Sequence, residues 1–413
     1  MLRLTHSAAV LLAALAAIMV PGAVAANPDD GMCLECHGSV EQATTAVEMF
    51  ELQASHERLQ RLAVRPAGPG AAHRDLACVD CHPSAEELPH PEAMLVGFNP
   101  CVLCHDDVVD VVNTSSHRDR EGGVDFRASC WACHGAHDIR PASDPLSALA
   151  PPHVAARCLA CHDKQEYLAG VHGFGVQKAG LDFSATCISC HGGHEIMGPS
   201  EAGSRVKRRQ VSFTCGRCHG RVAETYRQSV HGASLEEDDN PDVPTCVDCH
   251  EAHGTRDPRM PRFRVTSPQI CGRCHADDRM MGRYGLSTQV FETYVADFHG
   301  TTAELFRAIS PDAPLNQAVC YDCHGYHDVE SVRAAGEEQV QARLLVRCQA
   351  CHPNIEAGFL SAWTGHYVPS WDRYPIIYVV NLFYRLVIPG TVGFFLVYIA
   401  VDVWGRRRRG RVS

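Results

Sequence analysis

A cysteine, two variable residues, a second cysteine and a histidine recur along almost the whole chain. The segments are Cys33-x-x-Cys36-His37, Cys78-x-x-Cys81-His82, Cys101-x-x-Cys104-His105, Cys130-x-x-Cys133-His134, Cys158-x-x-Cys161-His162 and Cys187-x-x-Cys190-His191. They continue as Cys215-x-x-Cys218-His219, Cys246-x-x-Cys249-His250, Cys271-x-x-Cys274-His275, Cys320-x-x-Cys323-His324 and Cys348-x-x-Cys351-His352. These eleven segments use all 22 cysteines. Two thiols at this spacing reach the two vinyl groups of one porphyrin, and the next residue can bring its imidazole to the iron. Zinc knuckles and redox dithiols use the same cysteine spacing but do not require the histidine. A disulfide framework leaves it unexplained as well. The chemistry implied is covalent haem c, eleven groups, with each motif histidine as one axial ligand.

The remaining histidines are the candidates for the opposite axial positions. Motif starts at Cys101, Cys158, Cys215 and Cys271 lie 57, 57 and 56 residues apart, and each is followed by a second motif, at Cys130, Cys187, Cys246 and Cys320. The repeating unit is therefore a pair of motifs. Cys33 and Cys78 form a looser first pair, and Cys348 starts an unpaired motif. Each regular pair has a histidine between its motifs: His117, His172, His231 and His299. Three of these share a pattern, Tyr167-x4-His172-Gly173, Tyr226-x4-His231-Gly232 and Tyr294-x4-His299-Gly300. Each pair also has a histidine three residues after its second motif: His137, His194, His253 and His327. Glycine follows the motif histidine in three of these four.

Histidines three apart on one helical turn face the same way and cannot take opposite sides of one iron. The second must reach a neighbouring iron or bind none. The expectation is that the post-motif histidine serves the first haem of its own pair and the mid-loop histidine the second, with the reverse assignment left open. His366 is the candidate for the haem at Cys348. His56, His73 and His90 compete for the first pair, and His153 is spare. Methionine is the alternative ligand type. Met32, Met94, Met197, Met260, Met280 and Met281 do not recur at the repeat spacing.

The elements expected to carry these residues are short helices separated by long irregular loops, with little sheet. About one haem for every few dozen residues leaves little protein for an apolar interior, and covalent and axial bonds substitute as staples. The 24 prolines and 33 glycines agree. Helices are predicted over Thr288–Ile309, carrying His299, over Ser39–Val64, carrying His56, and over Ser331–Val346. The expected fold class is mainly α, wrapped around a haem array, with one C-terminal transmembrane helix. The expected domains are a signal peptide at 1–25, a first haem pair at 26–100, four di-haem units at 101–330, an eleventh haem segment at 331–373, a membrane anchor at 374–405 and a cytoplasmic basic tail at 406–413.

The two ends argue for export and anchoring. Arg3, the apolar run Ala8–Val20 and Ala23-Val24-Ala25 have the layout of a cleavable secretory signal. Leu386–Trp404 is an apolar stretch of 19 residues interrupted by one charge, Asp402, near its end; it makes about 28 Å of helix, and Arg406–Arg409 follow at once. By the positive-inside rule that end is cytoplasmic and the haem domain periplasmic, held at the inner membrane. Ile376–Tyr384 is read as a separate interfacial stretch, broken from the span at Asn381 and Arg385. No histidine lies between Ile376 and Trp404, so the span cannot hold a bis-histidine haem b. The net charge of −11 argues against nucleic-acid binding.

Through its motifs and His-x-x-His endings, residues 33–366, the chain resembles periplasmic multihaem cytochromes c of the broad cytochrome c3 and doubled-CxxCH group. The resemblance implies single-electron transfer along closely spaced, low-potential haems. Membrane-anchored relatives of the quinol-dehydrogenase type have an N-terminal anchor and fewer haems, and this chain departs from them on both counts. The reading is an electron conduit, not a catalyst, between a membrane cytochrome b or quinone-linked donor and a periplasmic or outer-membrane acceptor. The alternative is a multihaem reductase or oxidase of nitrite, hydroxylamine or a sulfur oxyanion. That chemistry needs an iron with an open position, sometimes with a lysine ligand, and the chain has only Lys164, Lys178 and Lys207.

Overall fold

The computed structural model describes residues 31–49, 64, 69–83, 85, 99–118, 130–331, 336–362, 365–366, 368–372 and 374–409. Among them the chain forms helices and irregular loops with no strand. Only 19 apolar side chains are buried among the described residues. The one cluster of buried apolar residues that forms a core there is small: Val265, Ala303, Leu315 and Val319, with Phe306 and Tyr321 against it.

The chain divides into two compact units. One comprises Met1–Gln210 with His253–Thr255, and the other Val211–Ala252 with Arg256–Ser413. The three-residue segment at His253 thus belongs with the first unit, although its sequence neighbours belong to the second.

First and second motifs fold differently. In the middle of the chain a first motif closes a longer helix: Pro151–Leu159 ends within the Cys158 motif, and Pro261–His275 ends on its motif histidine. A second motif is itself a short helix starting at its first cysteine: Cys130–His134, Cys187–His191, Cys246–His250 and Cys320–His324. The second variable residue of most second motifs anchors that start. Asp80, Ser189, Asp248 and Asp322 accept the backbone N–H of Ala77, Thr186, Thr245 and Val319 at 2.8, 3.0, 2.6 and 2.7 Å. This satisfies a donor that the first turn otherwise leaves open.

The residue after each of these four helices turns the chain away. Gly135, Gly192 and Gly325 have φ of 80, 89 and 87°, and Glu251 stands at φ 66°. Glycine adopts this region without a Cβ clash, which explains its recurrence there. The post-motif histidines His137, His194, His253 and His327 therefore do not share a helical turn with the motif histidine, contrary to expectation.

The segment predicted as one helix over Thr288–Ile309 is two, Gln289–Ala296 and Phe298–Ile309. Asp297 breaks it and caps the second helix by accepting the Gly300 N–H at 2.9 Å. The predicted Ser331–Val346 helix runs over Glu337–Gln349 and starts after Gly336, whose φ is 78°. Of the predicted Ser39–Val64 helix, Val40–Met49 is helical; the part carrying His56 lies outside the described residues. The signal-like segment also lies outside them.

The C-terminal helix runs unbroken over Pro375–Arg409, 35 residues, or about 52 Å. The expected break at Asn381 and Arg385 is absent, and Ile376–Tyr384 continues the span. Its apolar side chains are exposed along its length. It is long and apolar enough to cross a membrane.

Candidate haem-binding site

Among the described residues, nine pairs of imidazoles face one another at a common distance. Ring centroids are 6.1 Å apart for His73 and His105, 6.3 Å for His82 and His137, and 6.0 Å for His117 and His162. They are 5.8 Å apart for His134 and His194, 6.1 Å for His191 and His253, and 6.3 Å for His231 and His275. The last three pairs are His250 and His327 at 6.0 Å, His299 and His352 at 6.3 Å, and His324 and His366 at 6.1 Å. Every pair joins one motif histidine to one other histidine. Two imidazoles on opposite sides of one metal, each bonded at about 2.0 Å, have ring centroids about 6.2 Å apart. The residues present therefore fit a porphyrin iron between each pair.

The within-pair matching expected from sequence does not occur. Each mid-loop histidine in these pairs faces the first motif of the next unit: His117 meets His162, His231 meets His275 and His299 meets His352. Each post-motif histidine faces the second motif of the previous unit: His137 meets His82, His194 meets His134, His253 meets His191 and His327 meets His250. His73 stands in the mid-loop role for His105. His366 stands in the post-motif role for His324, not for His352. The helix-breaking residue after each second motif redirects the chain, so the shared helical face on which the expectation rested does not form.

A backbone hydrogen bond recurs at four of the crossings. The N–H before a mid-loop histidine donates to the carbonyl two residues beyond a post-motif histidine of the following unit. The contacts are Ala72 to Ile139 and Ser116 to Ile196, both 2.7 Å, and Val171 to Thr255 and Val230 to Val329, both 2.8 Å. Gly170, before Val171, leaves no room for a Cβ, which would sit 2.8 Å from the His253 carbonyl oxygen.

The Tyr-x4-His-Gly pattern has a direct structural cause. Tyr167, Tyr226 and Tyr294 are buried, and their hydroxyls donate to the carbonyls of Ala185, Pro244 and Ala318 at 2.9, 2.7 and 3.1 Å. Each acceptor lies two residues before a second-motif cysteine. A Cβ on Gly173, Gly232 or Gly300 would lie 2.0 Å from the carbonyl oxygen of the same tyrosine. The tyrosine thus ties the mid-loop histidine to the second motif of its own unit.

Burial first, and then the facing imidazole, pushes His231 and His324 down to about 4. His134, His137, His191 and His250 are lowered for the same two reasons. Neutral imidazole is the form that ligates metal. The first cysteines of a pair lie close enough to shift one another's ionisation: Cys101 with Cys130, Cys158 with Cys187, Cys215 with Cys246 and Cys271 with Cys320.

The other candidates sit as follows. His37 ends the helix Gly31–His37, and His172 lies in Val171–Gln177, the same repeat position as His117 and His231. His153 is exposed, with Nδ1 2.9 Å from the Ser147 carbonyl oxygen. His56 and His90 lie outside the described residues. The supporting residues that sequence reasoning missed are Asp80, Ser189, Asp248 and Asp322. Their signal was an acidic or hydroxyl side chain just before the second cysteine of second motifs.

A family model described as the doubled CXXCH motif matches residues 240–280. The match covers the motifs at Cys246 and Cys271, and this signature marks multihaem c-type cytochromes with covalently bound haem. No curated protein and no solved structure matches the chain.

Proposed function

We propose that the protein is an electron-transfer conduit that carries eleven c-type haems and is anchored in the inner membrane by its C-terminal helix, with the haem-bearing part in the periplasm. The observation that carries this reading is the set of nine imidazole pairs at 5.8–6.3 Å. Haem c supplies a one-electron iron couple when bound. The two imidazoles of each pair would hold an iron between them, and an iron so held would exchange electrons rather than offer a place for substrate. Their low-potential character follows from two imidazole ligands.

The donor is a membrane cytochrome b or quinone-linked subunit, and the acceptor a periplasmic or outer-membrane redox protein. The membrane end supports this placement. His366, which faces His324, lies nine residues before Pro375, the first residue of the C-terminal helix. Nine residues span at most about 32 Å, so the motifs at Cys320 and Cys348 are tethered close to the bilayer.

Electron paramagnetic resonance of the oxidised, detergent-purified protein tests the reading. Low-spin signals throughout are expected. A high-spin signal amounting to one full iron would instead support the reductase or oxidase alternative.

A further inference from the structure

Resting on the haem reading above, the junctions between motifs point to an order. We propose that, from the Cys78 motif onward, the haems of each compact unit follow one another in space in the order of their motifs along the chain, as a single unbranched file. The file is Cys78, Cys101, Cys130, Cys158, Cys187 in the first unit, and Cys215, Cys246, Cys271, Cys320, Cys348 in the second.

Two kinds of junction alternate. The first joins the two motifs of one unit. The first cysteines of those motifs are neighbours, as Cys158 is of Cys187 and Cys271 of Cys320. The helices that bear them pack together: Pro151–Leu159 on Cys187–His191, Val211–Gly216 on Cys246–His250, and Pro261–His275 on Cys320–His324. Asn99 adds a contact at the earliest such junction, its Nδ2 lying 3.5 Å from Cys130 Sγ.

The second kind joins a second motif to the first motif of the next unit. The backbone clamp makes it. Ser116 and Ile196, bonded at 2.7 Å, flank His117 and His194. Those two histidines face His162 and His134, which belong to consecutive motifs. The Ala72–Ile139 clamp does the same for His105 and His82, and the Val230–Val329 clamp for His275 and His250. Motif helices again pack directly, Cys130–His134 on Pro151–Leu159 and Cys320–His324 on Glu337–Gln349. Arg273, inside the Cys271 motif, donates to the Asp248 carbonyl inside the Cys246 motif.

At the last junction the clamp is replaced by a side chain. Thr293 Oγ1 lies 3.5 Å from His366 Nδ1, and the next helix brings His299 to His352. In every case the tie is between neighbours in sequence. A file of this kind has no bypass, so each internal haem is essential to passage through its unit.

A cryo-electron-microscopy map of the full-length holoprotein in detergent tests the order, read as iron–iron distances. Within each unit, the nearest irons to the haem at Cys130 should be those at Cys101 and Cys158, and so on along both files. A map with haem at every motif but a non-consecutive nearest neighbour would overturn the order and leave the conduit reading standing. A map without haem at the motifs would overturn both.

Discussion

His134 and His194 lie 60 residues apart in the chain, and their rings face each other with centroids 5.8 Å apart and planes inclined by 24°. On the proposed haem reading this pair is the ligand set of one haem, which gives a clear test. His194→Ala should convert only the haem at Cys130 to a high-spin species, measured as one iron's worth of new signal in the oxidised resonance spectrum. Adding Cys130→Ala and Cys133→Ala should abolish that signal. If the Cys158 motif had to be removed instead, the crossed assignment would be wrong.

Gly232 has no space for a methyl group, since a Cβ would lie 2.0 Å from the Tyr226 carbonyl oxygen. Gly232→Ala should destabilise the protein by about 3 kcal/mol through overpacking. Gly220→Ala is the control, because nothing lies within 4 Å of a Cβ there. Thermal melts followed in the haem absorbance should separate the two.

Glu251 occupies the positive-φ position that glycine fills after three other second motifs, at φ 66°. Glu251→Gly relieves that backbone cost but gives up the exposed ion pair with Arg256 at 2.8 Å. Exposed pairs contribute little, so the variant should gain about 0.5–1 kcal/mol, seen as a raised Tm.

Burial pushes the Tyr167 hydroxyl up to about 12, and it donates to the Ala185 carbonyl at 2.9 Å. An acid whose folded pKa is raised adds stability that is complete below its unfolded pKa, about 10, and is lost as pH rises through the folded value. Tyr167→Phe should therefore lower Tm at neutral pH, by about 1 kcal/mol of stability, and the gap from wild type should close between pH 10 and about 12.

Thr293 donates its hydroxyl proton to the Gln289 carbonyl at 2.7 Å, which leaves Oγ1 to accept from His366 Nδ1–H at 3.5 Å. An acceptor on Nδ1 raises the basicity of the ring nitrogen that faces the metal. Thr293→Val should raise the potential of the haem at Cys320 in a redox titration, while Thr293→Ser should not.

The motif histidines and cysteines, the paired repeat and the helical class were legible because covalent haem attachment demands fixed residue types at fixed spacing. The Tyr-x4-His-Gly pattern was visible as well, although its cause was not. The hydroxyl contact and the missing Cβ space involve atoms brought together by the tertiary fold. The matching of histidines to motifs was misread. Sequence proximity put His134 and His137 on one helical turn, whereas the φ of 80° at Gly135 sends them apart. The break at Asp297 was hidden because the apolar spacing on either side is continuous, and only the cap on Gly300 shows it. The C-terminal helix was split too early because Asn381 and Arg385 are polar, yet the helix runs through both.

The crossing of ligands also sets a timetable for a chain synthesised from its N-terminus. A first-motif haem such as that at Cys158 finds His117 already delivered, because that donor precedes it. The haem at Cys130 must wait for His194, and that at Cys320 for His366, the last histidine before the C-terminal helix. Maturation would therefore finish with His366, the final imidazole arriving just ahead of the long apolar C-terminal helix.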